Sequence, residues 1–107
     1  MNDLDLERPK ILVVDDHPSS RMTAVALLTF EGYDVLESES GAAALAQVLD
    51  TSPDLILLDV MMPGIDGFET CKRLKLNPDT RDIPVIFMTA LSDSVDKIKG
   101  LSLGAVD

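Results

Sequence analysis

Short runs of consecutive apolar residues, each closed by an oxygen-bearing side chain, recur along the chain. Ile11-Leu12-Val13-Val14 leads into Asp15-Asp16, Leu55-Ile56-Leu57-Leu58 into Asp59, and Val85-Ile86-Phe87-Met88 into Thr89. A run without alternation of apolar and polar residues is buried on both faces, which is the pattern of a parallel strand. Tyr33-Asp34-Val35-Leu36-Glu37-Ser38 reads as a weaker strand whose acids place it near a sheet edge. Between the strands, apolar positions recur at helical spacing. Met22, Val25 and Leu28, with Ala26 and Leu27, do so between Pro18 and Gly32. Ala42, Leu45, Val48 and Leu49 repeat the spacing, Phe68, Cys71 and Leu74 do so between Gly67 and Pro78, and Val95, Ile98 and Leu101 do so before Gly104. The order β-α-β-α-β-α-β-α predicts an α/β fold, a doubly wound parallel sheet with helices on both faces. Residues 1–9, polar and ending in Pro9, are expected to form a flexible arm before a single domain over 10–107.

Composition narrows the function. A chain of 107 residues, 46% of them hydrophobic, is long enough for one packed core without disulfides or a structural metal. Nine basic against 19 acidic side chains give a net charge of −10. The densest basic cluster is Lys72, Arg73 and Lys75, so direct nucleic-acid binding by this domain is not expected. The single cysteine, Cys71, has no disulfide partner and no zinc-type spacing around it, and its place on an apolar stripe marks it as a small core residue. The acidic start and the lack of a long apolar run predict a cytoplasmic protein with no membrane association.

Candidate chemistry follows from the strand ends. Open parallel sheets bind ligands outside the carboxyl ends of their strands, where the strand order reverses. In the flavodoxin-like order 2-1-3-4-5, the ends of strands 1, 3 and 4 lie side by side, bringing Asp15, Asp16, Asp59 and Thr89 into one cleft. Any one of these acids alone is an ordinary loop or cap carboxylate. Together they repel one another and are tolerated around a hard divalent cation, with Mg²⁺ suited best. His17 follows the acid pair but precedes Pro18, and it reads as a turn residue, since magnesium prefers oxygen.

Val13-Val14-Asp15-Asp16, then Leu57-Leu58-Asp59-Val60-Met61-Met62-Pro63-Gly64-Ile65-Asp66-Gly67, then Val85-Ile86-Phe87-Met88-Thr89-Ala90, together resemble the receiver domain of two-component response regulators. The resemblance runs from about Lys10 to Asp107. It implies a phosphoacceptor switch that is not itself an enzyme and that takes a phosphoryl group from a histidine kinase or phosphotransfer protein. By matching position, Asp59 is the phosphoacceptor. Asp15, Asp16, Asp59 and the main-chain carbonyl of Met61 hold Mg²⁺. Thr89 hydrogen-bonds the phosphoryl group, and the small Ala90 leaves access to it. The output is a changed surface read by a further partner, whose identity is not encoded in these motifs. Pro63, Gly64 and Gly67 shape the loop after Asp59, with glycine where positive φ or close backbone approach is needed.

The chain departs from that pattern at Gly104-Ala105-Val106-Asp107, where a receiver's fifth strand would begin. The expected order is therefore 2-1-3-4-(5), with the fifth strand, its helix, its lysine and its aromatic switch residue missing. Lys97 and Lys99 lie in the preceding helical stretch and do not match that lysine. An uncovered fourth strand is expected to pair with a second copy and form a homodimer. Two other functions remain open. One is a receiver-like interaction module without phosphorylation, which the missing lysine favours. The other is a Mg²⁺-dependent phosphatase of haloacid-dehalogenase type, which would carry a second acid two residues after its nucleophile, where this chain has Met61.

Overall fold

The computed structural model describes residues 8–88. Seven elements alternate along them: β1 (Lys10–Val14), α1 (Pro18–Phe30), β2 (Asp34–Ser38), α2 (Gly41–Thr51), β3 (Leu55–Asp59), α3 (Gly67–Leu76) and β4 (Val85–Met88). The strands form one parallel sheet in the order β2-β1-β3-β4, so the expected order is borne out over its first four strands. β4 is the outermost strand on its side among the described residues. The expected last helix, with Val95, Ile98 and Leu101, lies outside the described residues, as do Thr89 and Ala90. At the other end, the expected arm over 1–9 is described only at Arg8 and Pro9. The Pro9 carbonyl accepts a hydrogen bond from the Asp34 N–H at 2.9 Å, which ties that residue to the start of β2.

β1, β3 and β4 each contain the whole of their apolar run, with Lys10 added at the start of β1 and Asp59 at the end of β3. Side chains alternate across the sheet. Leu12, Val14, Ile56, Leu58 and Val85 form one buried cluster with Ala44 and Val48 of α2, Cys71 and Leu74 of α3, and Met62 of the loop after β3. Phe87 joins the rim of this core and meets Phe68 with ring centroids 5.1 Å apart in a tilted arrangement. Ile11 and Val13, which alternate with the core-facing residues of β1, are buried too, so this strand is covered on both sides as its unbroken apolar run requires. β2, at the edge, is largely half-buried or exposed.

Helix starts follow from local chemistry. Pro18 opens α1, where its missing N–H costs nothing. The Ser40 hydroxyl accepts from the Ala43 N–H at the start of α2, and the Asp66 carboxylate accepts from the Glu69 N–H at 2.8 Å at the start of α3. Lys75 closes α3 by donating to the carbonyls of Arg81 and Ile83.

The facing of α1 differs from the sequence reading. Met22 and Leu27 are 66% and 62% exposed, while Arg21, Ala24, Val25 and Leu28 are half-buried. The helix is turned so that Arg21 faces inward, because its guanidinium donates to the Asp15 carbonyl and to the Glu37 carboxylate. In α2 likewise, Ala44 and Val48 are buried, while Ala42 and Leu49 of the expected stripe are exposed. A small residue permits closer approach to the sheet at Ala44.

Candidate functional site

β1 and β3 are adjacent and in register, so their carboxyl ends emerge together. Asp59 is the last residue of β3, and Asp15 immediately follows β1. Both are buried, with 6% and 5% of their surface exposed. Asp16 is half-buried beside them. One potential ligand atom from each of Asp15, Asp16, His17 and Asp59 lies within 4.8 Å of all the others. The expected carboxylates therefore meet in space although Asp15 and Asp59 are separated by 59 − 15 = 44 positions. β4 ends at Met88, paired with Asp59. Thr89 and Ala90, next in sequence, lie outside the described residues, and the structure does not test their expected roles.

The site is held mainly by backbone donors. Asp15 Oδ1 accepts the His17 N–H at 2.9 Å, and Asp15 Oδ2 accepts the Ser20 hydroxyl at 2.5 Å. Asp59 Oδ1 accepts the Met61 N–H at 3.4 Å. The Met61 side chain is 71% exposed, whereas Met62 turns into the core. His17 precedes Pro18 as the residue that opens α1, and its Nδ1 stands 3.2 Å from Asp16 Oδ1. The contacts of Ser20 and Arg21 to Asp15 were not anticipated from sequence. Their spacing five and six residues after the acid, in the first turns of the following helix, is the only local signal for them.

The loop after Asp59 requires glycine at two places. Gly64 has φ +78°, in the left-handed region. Gly67 begins α3 directly against the end of β3, its N–H donating to the Val60 carbonyl at 2.9 Å. A Cβ at position 67 would lie 2.2 Å from the Asp59 carbonyl oxygen and 2.8 Å from the Val60 Cα. Both are backbone atoms that cannot swing away. Gly67→Ala is therefore expected to lower stability by about 1–3 kcal/mol and to displace Asp59. Urea unfolding checks the first effect, and loss of metal affinity at unchanged protein concentration checks the second.

Electrostatics make the acid cluster costly. Two full negative charges no more than 4.8 Å apart repel by about 3 kcal/mol or more at an effective dielectric constant of about 20. A hydrogen bond to a charged group returns only about 1.5–3 kcal/mol, and these donors are shared among several charges. The cluster thus needs a proton or a cation. The proton's share is visible in Asp59, whose pKa is raised from 3.8 to about 6 by burial first and by the Asp15 charge next, against the lowering effect of the Met61 N–H. The cation's place is marked by Asp16 Oδ1, a buried oxygen that accepts no hydrogen bond. Three carboxylates, one with a buried oxygen that accepts no hydrogen bond and has His17 Nδ1 3.2 Å away, fit Mg²⁺.

Comparison with known proteins agrees with this geometry. Response regulator PleD of Caulobacter vibrioides is 50% identical over 98 residues, covering 92% of this chain and 22% of that protein. The phosphate regulon transcriptional regulatory protein PhoB of Pseudomonas aeruginosa is 49% identical over 98 residues, covering 91% of this chain and 42% of that protein. The chain thus spans less than half the length of these curated relatives. Among solved structures, the N-terminal domain of a response regulator receiver protein from Methanoculleus marisnigri superposes with a TM-score of 0.83 at 40% identity, covering 92% of this chain and 80% of that one. The chemotaxis response regulator CheY4 of Vibrio cholerae does so with a TM-score of 0.82 at 32% identity, covering 92% and 82%. The family model described as the response regulator receiver domain matches residues 11–107, and the chain belongs to that family.

Proposed function

We propose that this domain accepts a phosphoryl group on Asp59 from the phosphohistidine of a histidine kinase or phosphotransfer protein, and that Mg²⁺ is required. The observation that carries this reading is the convergence of Asp15, Asp16 and Asp59 at two adjacent strand ends, with a buried oxygen left unsatisfied. Asp15, Asp16, Asp59 and the Met61 carbonyl would hold the cation. When bound, Mg²⁺ supplies positive charge that offsets the carboxylates and the oxygens of the moving phosphoryl group. Asp59, largely ionised above its pKa of about 6, attacks phosphorus in line. A bond forms between its carboxylate oxygen and phosphorus while the phosphorus–nitrogen bond of the donor breaks, leaving the electron pair on the donor imidazole. Thr89 then hydrogen-bonds the phosphoryl group, and Ala90 leaves space for it.

The domain makes no product of its own. Its output is a changed surface presented to a further domain or protein, and a cytoplasmic setting accords with the lack, among the described residues, of any helix long and apolar enough to cross a membrane. The test is incubation with acetyl phosphate and Mg²⁺. One acid-labile phosphoryl group per chain, absent when Mg²⁺ is chelated, is the expected result. Continuous turnover of a chromogenic phosphate ester would instead identify a phosphatase. No labelling, with partner binding intact, would identify an interaction module.

A further inference from the structure

We infer that Ser20 is a positioning residue for magnesium binding: from the first turn of α1 its hydroxyl sets the Asp15 carboxylate in the orientation that the cation needs. The inference rests on the function proposed above and adds to it a residue that belongs to none of the motifs.

The backbone of Asp15 is already fixed on both sides. Its N–H donates to the Ser38 carbonyl of β2 at 3.1 Å. Its carbonyl accepts Arg21 Nη1 at 2.8 Å, and Arg21 is itself anchored on Glu37 of β2 at 3.1 Å. What remains free is the pair of side-chain torsions. The His17 N–H holds one carboxylate oxygen at 2.9 Å, and the Ser20 hydroxyl holds the other at 2.5 Å. That length is in the range of an O–H donor to an ionised oxygen, the stronger class of hydrogen bond. Each carboxylate oxygen has two lone pairs, so with one used on each, the other on each is left for the side of Asp16 and Asp59. Without Ser20 the oxygen Oδ2 loses its donor, and His17, through its N–H at 2.9 Å and its Nδ1 at 3.6 Å, holds only Oδ1. Orienting partners of this kind are worth about ten- to a hundredfold in metal affinity.

A purely local role would look different. Ser20 Oγ also lies 3.3 Å from the His17 carbonyl oxygen, a contact that would serve only the start of the helix. Ser20 is exposed, and alanine is a good helix former, so Ser20→Ala folds and separates the two roles.

The experiment is calorimetric titration of the full chain with Mg²⁺, together with apo melting curves, for wild type, Ser20→Ala, Ser20→Thr, Asp15→Asn and the Ser20→Ala/Asp15→Asn double variant. Ser20→Ala is expected to bind Mg²⁺ about tenfold more weakly, with its apo chain still melting cooperatively and its melting temperature lowered only by the loss of one hydrogen bond to a charged group. Threonine, which keeps the hydroxyl, restores the affinity. Adding Ser20→Ala to Asp15→Asn costs nothing further, because Ser20 acts only through that carboxylate. Wild-type affinity in Ser20→Ala, or an equal further loss in the Asp15→Asn background, overturns the inference and leaves the proposed function standing. A wild-type chain that binds no Mg²⁺ overturns both.

Discussion

Asp59→Asn is expected to abolish acid-labile phosphoryl labelling by acetyl phosphate, whereas Asp15→Asn slows it by on the order of ten- to a hundredfold. The difference comes from where the two acids stand. Asp59 ends β3, which lies between β1 and β4, so its carboxylate is flanked by Asp15 and Asp16 on one side and by the end of β4 on the other. An incoming phosphoryl group that reaches Asp59 is within reach of the cation held by its neighbours. Asparagine preserves the shape of the side chain, but its amide lone pair is delocalised and it is no nucleophile. Asp15 has a donor on each of its oxygens, from His17 and Ser20, and its proposed part is to hold the cation. Quantitative labelling of both variants with and without Mg²⁺, stopped with denaturant at neutral pH, measures the effect. Labelling that survives in Asp59→Asn would place the acceptor elsewhere.

The same substitution is expected to stabilise the metal-free protein at neutral and alkaline pH. Asp59 has its pKa raised from 3.8 to about 6, so between those values the folded chain binds more protons than the unfolded one. Stability contributed by this group therefore falls as pH rises through that window. Below about pH 3.8 the carboxyl is neutral in both states and costs nothing, and above about pH 6 the full penalty is present. A rise from 3.8 to about 6 corresponds to about 3 kcal/mol. Asp59→Asn removes it, which for a domain of this size raises the melting temperature by roughly 10 °C or more. The gain is complete near pH 8 and vanishes near pH 4. Millimolar Mg²⁺ offsets the same repulsion in the wild type and raises its melting temperature through linkage, with a smaller effect on Asp59→Asn. Scanning calorimetry of both chains at the two pH values, in chelator and in Mg²⁺, decides the matter. A wild type and variant that melt together at pH 8 without metal would mean that the acids are not paying for their proximity.

What could be read from sequence and what could not divide along a physical line. The strands were legible because β1, β3 and β4 take their residues from continuous apolar runs, and burial on both faces of a sheet leaves no place for polar residues. The start of α1 was legible from Pro18, which suits a first turn, whereas the caps Ser40 and Asp66 emerged with the structure. The candidate acids were legible too, since a strand that runs out of apolar residues reaches the rim of the sheet, where ligands bind.

Rotation of α1 was not legible. It depends on Arg21 meeting Glu37 across 37 − 21 = 16 positions, and a helical stripe records spacing along one segment but not the neighbour that captures one of its faces. Glycine at position 67 was expected for close backbone approach, but the atom it approaches, the Asp59 carbonyl eight residues earlier (67 − 59), is brought close only by the folded loop. Sequence alone thus determined which residues end the strands. The tertiary structure decided that Asp59 is buried against Asp15, that Asp16 keeps an unsatisfied oxygen and that Ser20 reaches the site. The reason is that charge repulsion, burial and hydrogen bonding act through distance in space, and those distances exist only once parallel pairing has brought β1 and β3 together.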